Sequence, residues 1–153
     1  KLLETHQDFQ IVVVPRYEKQ VEMLQRILGE KVTVCESVID GPSLLSFTSI
    51  FVGAGGTMTI ESALLGVPTF SCYPAEPYLI ERYLINKELV VRETEPEKAA
   101  EKILKVFGNL EIAKERQRKN AERLTKSFED PIDVIESTIQ DVGASYNLST
   151  NLS

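Results

Sequence analysis

Histidine and cysteine are scarce in this chain, and their scarcity excludes several kinds of catalytic and metal site. The 153 residues include one histidine, His6, and two cysteines, Cys35 and Cys72. A single imidazole cannot supply a histidine-rich metal centre, and it argues against Ser-His-Asp and Cys-His catalysis. Two lone thiols form neither a disulfide framework nor a metal-binding pattern. We therefore predict buried free thiols in a reducing compartment, a cytoplasmic location and no metal site.

Long apolar runs and basic blocks are also missing. The longest apolar runs, such as Ile11–Pro15, fall far below the roughly 20 residues of a membrane span. The sequence contains no charged segment followed by an apolar run, so no secretory leader is predicted. Lys and Arg number 17 against 23 Asp and Glu, which gives a formal net charge of −6. We predict no transmembrane segment and no nucleic-acid partner, although a helix N-terminus can still bind one small anion.

What is present is an alternation of strand and helix signals, followed by a helical last third. This alternation predicts an α/β fold, a Rossmann-like parallel sheet with helices on both faces. The predicted strands are Phe9–Pro15, Lys31–Glu36, Ser49–Val52, Thr69–Tyr73 and Leu89–Arg92. The domain is predicted to cover residues 1–142 and to end in a helix whose buried face carries Ile132, Ile135 and Ile139. Residues 143–153 lack periodicity, and this absence predicts a flexible tail.

One strand-to-helix loop, Val52–Thr57, has the composition of a phosphate site. Its sequence VGAGGT places three glycines in four positions directly after a buried strand. Glycine allows a ligand to approach the backbone, and the N–H groups of Gly56, Thr57 and Met58 would then face an anion together with the helix dipole. Glu61, one turn later, is placed to accept ribose hydroxyls. The alternative is that the glycines serve only the turn and that Glu61 serves only the dipole.

The stretch from Gly55 to Pro68, GGTMTIESALLGVP, resembles the nucleotide-sugar signature of the GT-B superfamily. That signature is found in the peptidoglycan glucosaminyltransferase and the UDP-N-acetylglucosamine 2-epimerases. Three stretches, Val14–Gln20, Gly55–Thr59 and Asp130–Ile135, are similar to an archaeal family of unknown function with this fold. The resemblance implies that Gly55, Gly56, Thr57 and Met58 form the diphosphate loop and that Glu61 holds the ribose.

The resemblance also implies roles for residues outside the loop. Ile39 and Asp40 correspond to the segment that receives the uracil, and Glu76 corresponds to the position of donor-sugar contacts. Arg16, at the end of an earlier strand, is expected to face the same cleft. The alternatives are that Ile39 is a core residue and that Arg16 and Glu76 are solvated loop charges.

The resulting functional prediction is the nucleotide-sugar-binding half of a glycosyltransferase with a UDP-sugar-like donor and no separate cofactor. The resemblance begins at the second strand of the nucleotide-binding domain, so a first strand and an N-terminal acceptor domain are expected to be missing. This chain alone is then expected to be inactive, because the catalytic base usually comes from the other half. A 2-epimerase is a weaker alternative, since Ile60 stands where the epimerases carry a second glutamate. The fold is also compatible with a non-catalytic nucleotide-binding or regulatory module and with a purely structural domain.

Overall fold

A computed structural model describes the backbone of residues 10–150 and the side chains of residues 10–143. The chain divides into two compact units, Lys1–Glu122 and Arg123–Ser153. Residues 1–9 and 151–153, with the predicted strand start at Phe9 and the end of the predicted tail, lie outside the described residues. In chain order the elements are β1 (Val12–Val13), α1 (Gln20–Leu28), β2 (Thr33–Val34), α2 (Gly41–Ser46), β3 (Phe51–Gly53), α3 (Thr57–Leu64), β4 (Thr69–Ser71), α4 (Leu79–Asn86), β5 (Val91–Arg92), α5 (Pro96–Phe107), α6 (Leu110–Thr125) and α7 (Pro131–Thr150).

All strand pairs among residues 10–150 are parallel, and a helix connects each of these strands to the next. β1 pairs with β2, while β3, β4 and β5 form a second sheet in that order. This confirms the α/β prediction with parallel strands flanked by helices, an arrangement consistent with a Rossmann-like fold. The five strands expected in a parallel sheet lie in two sheets instead of one. Within residues 10–150, β1 pairs only with β2 and β3 only with β4, so no hydrogen-bonded ladder joins the two sheets.

The core of the first unit is built around β4, the middle strand of the larger sheet. Thr69, Phe70 and Ser71 are all buried, as expected for a strand covered on both faces. Thr69 Oγ1 and Ser62 Oγ of α3 lie 2.8 Å apart in a buried hydrogen bond. Just after the end of β4, the Cys72 N–H donates to the carbonyl oxygen of Gly53, the last residue of β3, at 2.8 Å. The carboxyl ends of β3 and β4 are therefore held side by side, next to the loop that starts α3.

The two thiols differ from the prediction in burial. Cys35 and Cys72 are free, as predicted, but both are only half-buried. Burial and the nearby Glu93 carboxylate raise the pKa of Cys72, so the thiolate needed for reactivity is disfavoured.

The end of the chain differs from the prediction. α7 continues to Thr150, so residues 143–150 of the predicted tail are helical. Ile132, Ile135 and Ile139 are 68, 56 and 66% exposed, so the predicted buried face is wrong. Helical periodicity identifies an apolar face but not a surface that covers it. In the part of the chain that the structure describes, no helix combines the length and apolar composition needed to cross a membrane.

Candidate functional site

The loop between β3 and α3 adopts a conformation that requires glycine. Gly55 and Gly56 have φ of +78° and +86°, values that side chains with a Cβ rarely adopt. A Cβ built on Gly56 would meet no atom within 4 Å, so this side of the loop is open. Gly56 is the N-cap of α3 and offers no side-chain acceptor to the helix. The helix N-terminus is therefore both uncapped and accessible.

Three backbone N–H groups at this helix start are available to a ligand. The N–H groups of Thr59 and Ile60 donate to Gly56 O at 3.1 and 3.3 Å. Those of Gly56, Thr57 and Met58 have no acceptor among the described residues. Unpaired N–H groups and the positive end of a helix dipole together favour an anion.

Glu61 and Met58 of α3 lie against the start of α2. A Cβ built on Gly41 would lie 3.5 Å from Glu61 Oε2 and 4.0 Å from Met58 Cε. Gly41 directly follows Ile39 and Asp40, the segment predicted to receive a base. Glu61 and Ile39 are both half-buried. The structure therefore brings the predicted base segment beside the predicted ribose residue and the glycine loop.

The side chain of Asp40 has a structural role as a helix cap. It is the N-cap of α2, and its Oδ2 accepts the Ser43 N–H at 3.0 Å. The hydrogen bonds from Ser43 lower the pKa of Asp40. This is the ordinary use of aspartate before a helix. The Asp40 carbonyl oxygen also accepts the Leu44 N–H at 3.1 Å, so this segment is held to the start of α2.

Arg16 and Glu76 are engaged locally and are not brought to the glycine loop. Arg16 is exposed, its backbone N–H donates to Gln20 Oε1 at 3.0 Å, and its guanidinium lies 5.5 Å from the Tyr17 ring centroid. The Glu76 carboxylate is 80% exposed and pairs with Arg82 at 2.7 Å. Among the described residues, no hydrogen bond or ion pair joins either side chain to the loop.

Glu81 is the site residue that the sequence reasoning missed. It belongs to α4 and is 2% exposed. Its Oε1 accepts the Ser71 hydroxyl, while its buried Oε2 has no partner among the described residues. A Cβ built on Gly55 would lie 3.0 Å from that Oε2. One signal in the sequence could have indicated that Glu81 is buried. Glu81 lies three residues before Leu84, positions i and i+3 share one face of a helix, and Leu84 is also buried.

Two stacked tyrosine rings lie next to the loop. A Cβ on Gly55 would also lie 3.6 Å from Tyr73 Cγ. The Tyr73 and Tyr78 rings stack with centroids 5.7 Å apart, and the Tyr73 hydroxyl donates to that of Tyr78 at 3.5 Å. This hydrogen bond raises the pKa of Tyr73. Arg92 Nη2 donates to the carbonyl oxygens of Tyr73 and Ala75 at 3.2 and 3.1 Å, which fixes the segment after β4.

Parallel sheets flanked by helices, with a glycine-rich loop where a strand ends, define an α/β protein consistent with a Rossmann-like fold. The chain belongs to the family described as "Protein of unknown function (DUF354)", whose model matches residues 1–143. It is similar to "Uncharacterized protein MJ0665" from Methanocaldococcus jannaschii, with 43% identity over 89 residues, 58% of this chain and 25% of the relative. The match thus spans a quarter of that relative's length. No solved structure matches the chain. The prediction of an uncharacterised family with an archaeal member is confirmed.

Proposed function

We propose that this chain is the nucleotide-sugar-binding half of a GT-B-type glycosyltransferase, with a UDP-sugar-like donor. The observation that carries the proposal is the open start of α3, where the N–H groups of Gly56, Thr57 and Met58 have no acceptor within the described chain. These groups would bind the donor's diphosphate without requiring Lys or Arg.

The order of the strands supports this type of fold. Dinucleotide-binding α/β folds place their strands in the order 3-2-1-4-5-6. Without its strand 1, this order leaves a group of two strands and a group of three strands. These groups match the two sheets of this chain, β2-β1 and β3-β4-β5. In the proposal, a strand from another part of the parent protein lies between β1 and β3. The ligand would then bind at the carboxyl ends of the strands, where the order reverses and where the glycine loop begins.

The contacts around α3 support a nucleoside beside the diphosphate. Glu61 lies one turn after the loop and against Gly41, so its carboxylate would accept the ribose hydroxyls. Ile39, half-buried on the adjoining segment, would provide an apolar contact for the base. Glu76 would reach the donor sugar only if its pair with Arg82 opened, and Arg16 would approach the cleft from the end of β1.

The contribution of this half to catalysis would be electrostatic. As the glycosyl bond breaks, negative charge develops on the leaving diphosphate, and fixed N–H groups stabilise that charge without reorganising. The acceptor site and the catalytic base would come from the N-terminal domain of the parent protein. We infer that this chain binds the donor but does not turn it over. An epimerase has less support, because half-buried Ile60 precedes Glu61 where a second carboxylate would be needed.

A thermal-shift screen of UDP, GDP and their sugar conjugates tests the proposal. A ligand at 100 times its Kd stabilises the folded state by about 2.7 kcal/mol. For a chain of this size that corresponds to a rise in Tm of several degrees. We expect UDP and UDP-sugars to raise the Tm, and the proposal is wrong if no nucleotide diphosphate does so at millimolar concentration.

A further inference from the structure

A buried carboxylate lies directly beneath the glycine loop. The Glu81 Oε2 atom packs against Gly55, two residues before α3 begins, and no hydrogen-bond donor or cation among the described residues pairs with it. Arg92, whose strand neighbour is Ser71, uses its Nη2 on the carbonyl oxygens of Tyr73 and Ala75 instead. The loop thus has unpaired N–H donors at the helix start and an unpaired acceptor below.

This arrangement affects anions of different charge differently. The helix start attracts any phosphate, while an ionised carboxylate nearby repels each additional negative charge, and a low-dielectric surrounding strengthens that repulsion. A phosphate esterified on both sides carries one negative charge. A free terminal phosphate carries about −1.5 to −2 at pH 7, because its second pKa is about 6. Two diphosphates of equal size therefore interact differently with the loop if one of them has a free end.

We propose that Glu81 is a specificity-determining residue, which makes the loop select a diphosphate esterified at both ends over one with a free terminal phosphate. The proposal rests on the proposed function, in which the loop binds a diphosphate, and it narrows the ligand class to sugar-linked nucleoside diphosphates. It also has a consequence for turnover in the parent protein. Transfer of the sugar converts a doubly esterified diphosphate into one with a free end, so the same carboxylate would promote release of the nucleoside diphosphate product.

The test compares UDP with its β-methyl ester, two ligands that share the nucleoside and differ in one methyl group and the terminal charge. Calorimetric titrations would measure both Kd values for the wild type and for Glu81→Gln, which keeps the size of the side chain and the acceptor for Ser71. In the wild type the ester is expected to bind about tenfold more tightly, which is about 1.4 kcal/mol. In Glu81→Gln the ratio should fall below about threefold, mainly because UDP binds more tightly. Glu101→Gln, a matched charge change on an exposed residue of α5, should leave the ratio unchanged.

The possible outcomes separate this inference from the function on which it rests. If both ligands bind and Glu81→Gln changes their Kd values by equal factors, Glu81 does not set specificity, although the diphosphate site stands. If the wild type binds UDP as tightly as the ester, the inference is also overturned. This comparison needs the wild type alone, so it can be made even if Glu81→Gln fails to fold. If neither ligand binds the wild type, the proposed function is wrong, and the inference falls with it.

Discussion

Glu61 on α3 lies against Gly41 on α2: a Cβ built on Gly41 would be 3.5 Å from Glu61 Oε2, an ordinary van der Waals distance. Gly41 follows the strand-to-helix segment that contains Ile39, and Glu61 follows the glycine loop. Two loops from different strands, one on each of the two sheets, therefore meet at α3. This contact places a residue suited to ribose between a segment suited to a base and a loop suited to a diphosphate.

Replacement of Glu61 by alanine should discriminate between ligands with and without a ribose. A hydrogen bond to a charged acceptor is worth about 1.5–3 kcal/mol, so Glu61→Ala should weaken UDP about ten- to a hundredfold. Pyrophosphate should bind the variant nearly as well as the wild type, because it makes no ribose contact. Calorimetric titration of both ligands into both proteins measures these changes. Equal losses for UDP and pyrophosphate would mean that Glu61 only interacts with the helix dipole.

Replacement of Gly56 by alanine should remove anion binding. The added Cβ would enter the open space beside the loop and would also be strained at φ +86° and ψ −170°, so the N–H groups of the helix start should shift from their positions. We expect a loss of about 1–3 kcal/mol in unfolding free energy from the strained backbone and a loss of pyrophosphate affinity beyond about tenfold.

The matched control for Gly56 is Gly29, which has φ +61°, ψ −154° and no atom within 4 Å of its Cβ position. Gly29→Ala should cause a similar loss of stability with no change in pyrophosphate affinity. Equal affinity losses in both variants would show that the effect at Gly56 reflects general destabilisation.

Replacement of Gly66 should destabilise the first unit. Gly66 has φ +79°, and a Cβ there would lie 3.0 Å from the Cα of Arg118 on α6. Because the obstructing atom belongs to the backbone, it cannot move aside without disturbing α6. The left-handed conformation of an alanine at position 66 adds about 1–2 kcal/mol of strain. Gly66→Ala should therefore lower the unfolding free energy in urea by more than about 2 kcal/mol. Gly143→Ala, in open space within α7, should be neutral or stabilising; similar losses at both positions would contradict the packing seen at Gly66.

The ion pair between Glu93 and Lys102 should give acid-dependent stability. Lys102 Nζ lies 2.6 Å from Glu93 Oε2, and this hydrogen bond lowers the pKa of Glu93. A carboxyl with a lowered folded-state pKa stabilises the fold above its unfolded pKa, about 4.3, and loses that contribution as the pH falls through the lower, folded value. Lys102→Met should therefore be less stable than the wild type at pH 7, and the difference should shrink as the pH falls below about 4.3.

Urea unfolding of the wild type and Lys102→Met between pH 3 and pH 7 measures this dependence. Lys98→Met, which removes a pair between two well-exposed side chains, Lys98 and Glu95, is the control. Its effect should be small at every pH, since exposed pairs contribute little. A difference for Lys102→Met that does not change with pH would show that packing of the lysine chain, and not the charge on Glu93, is responsible.

Local features of the fold were predictable from the sequence, whereas pairing was not. β1, β2, β4 and β5 lie inside their predicted ranges, and β3 is displaced by only one residue at its end. β-branched runs and glycine or proline turns are local signals, so they locate strands well. Whether two strands pair depends on contacts between distant segments, so the residues of the strands themselves do not reveal that β1-β2 is separate from β3-β4-β5. The missing first strand was implied by the family resemblance alone.

The same distinction applies to the candidate site. The Gly55–Glu61 segment was found because its glycines and its single carboxylate are adjacent in the chain. Arg16 was chosen for its position at a strand end and Glu76 for its place in the resemblance, but each has a local partner that neither criterion reveals. Glu81 was missed because its contacts with Gly55 and Ser71 join segments that are separated in the sequence and close in space.

The most direct test of the central claim, that the start of α3 binds the diphosphate of a nucleotide sugar, is an amide-resolved NMR titration with UDP-glucose. Hydrogen bonds to phosphate change the environment of the amides that donate them. The account predicts that the largest saturable shifts occur at the Gly56, Thr57 and Met58 amides, whose N–H groups have no acceptor in the described chain. The claim is contradicted if these signals stay fixed at saturating UDP-glucose, or if the saturable shifts occur instead in the groove lined by Ser46, Glu111 and Arg118.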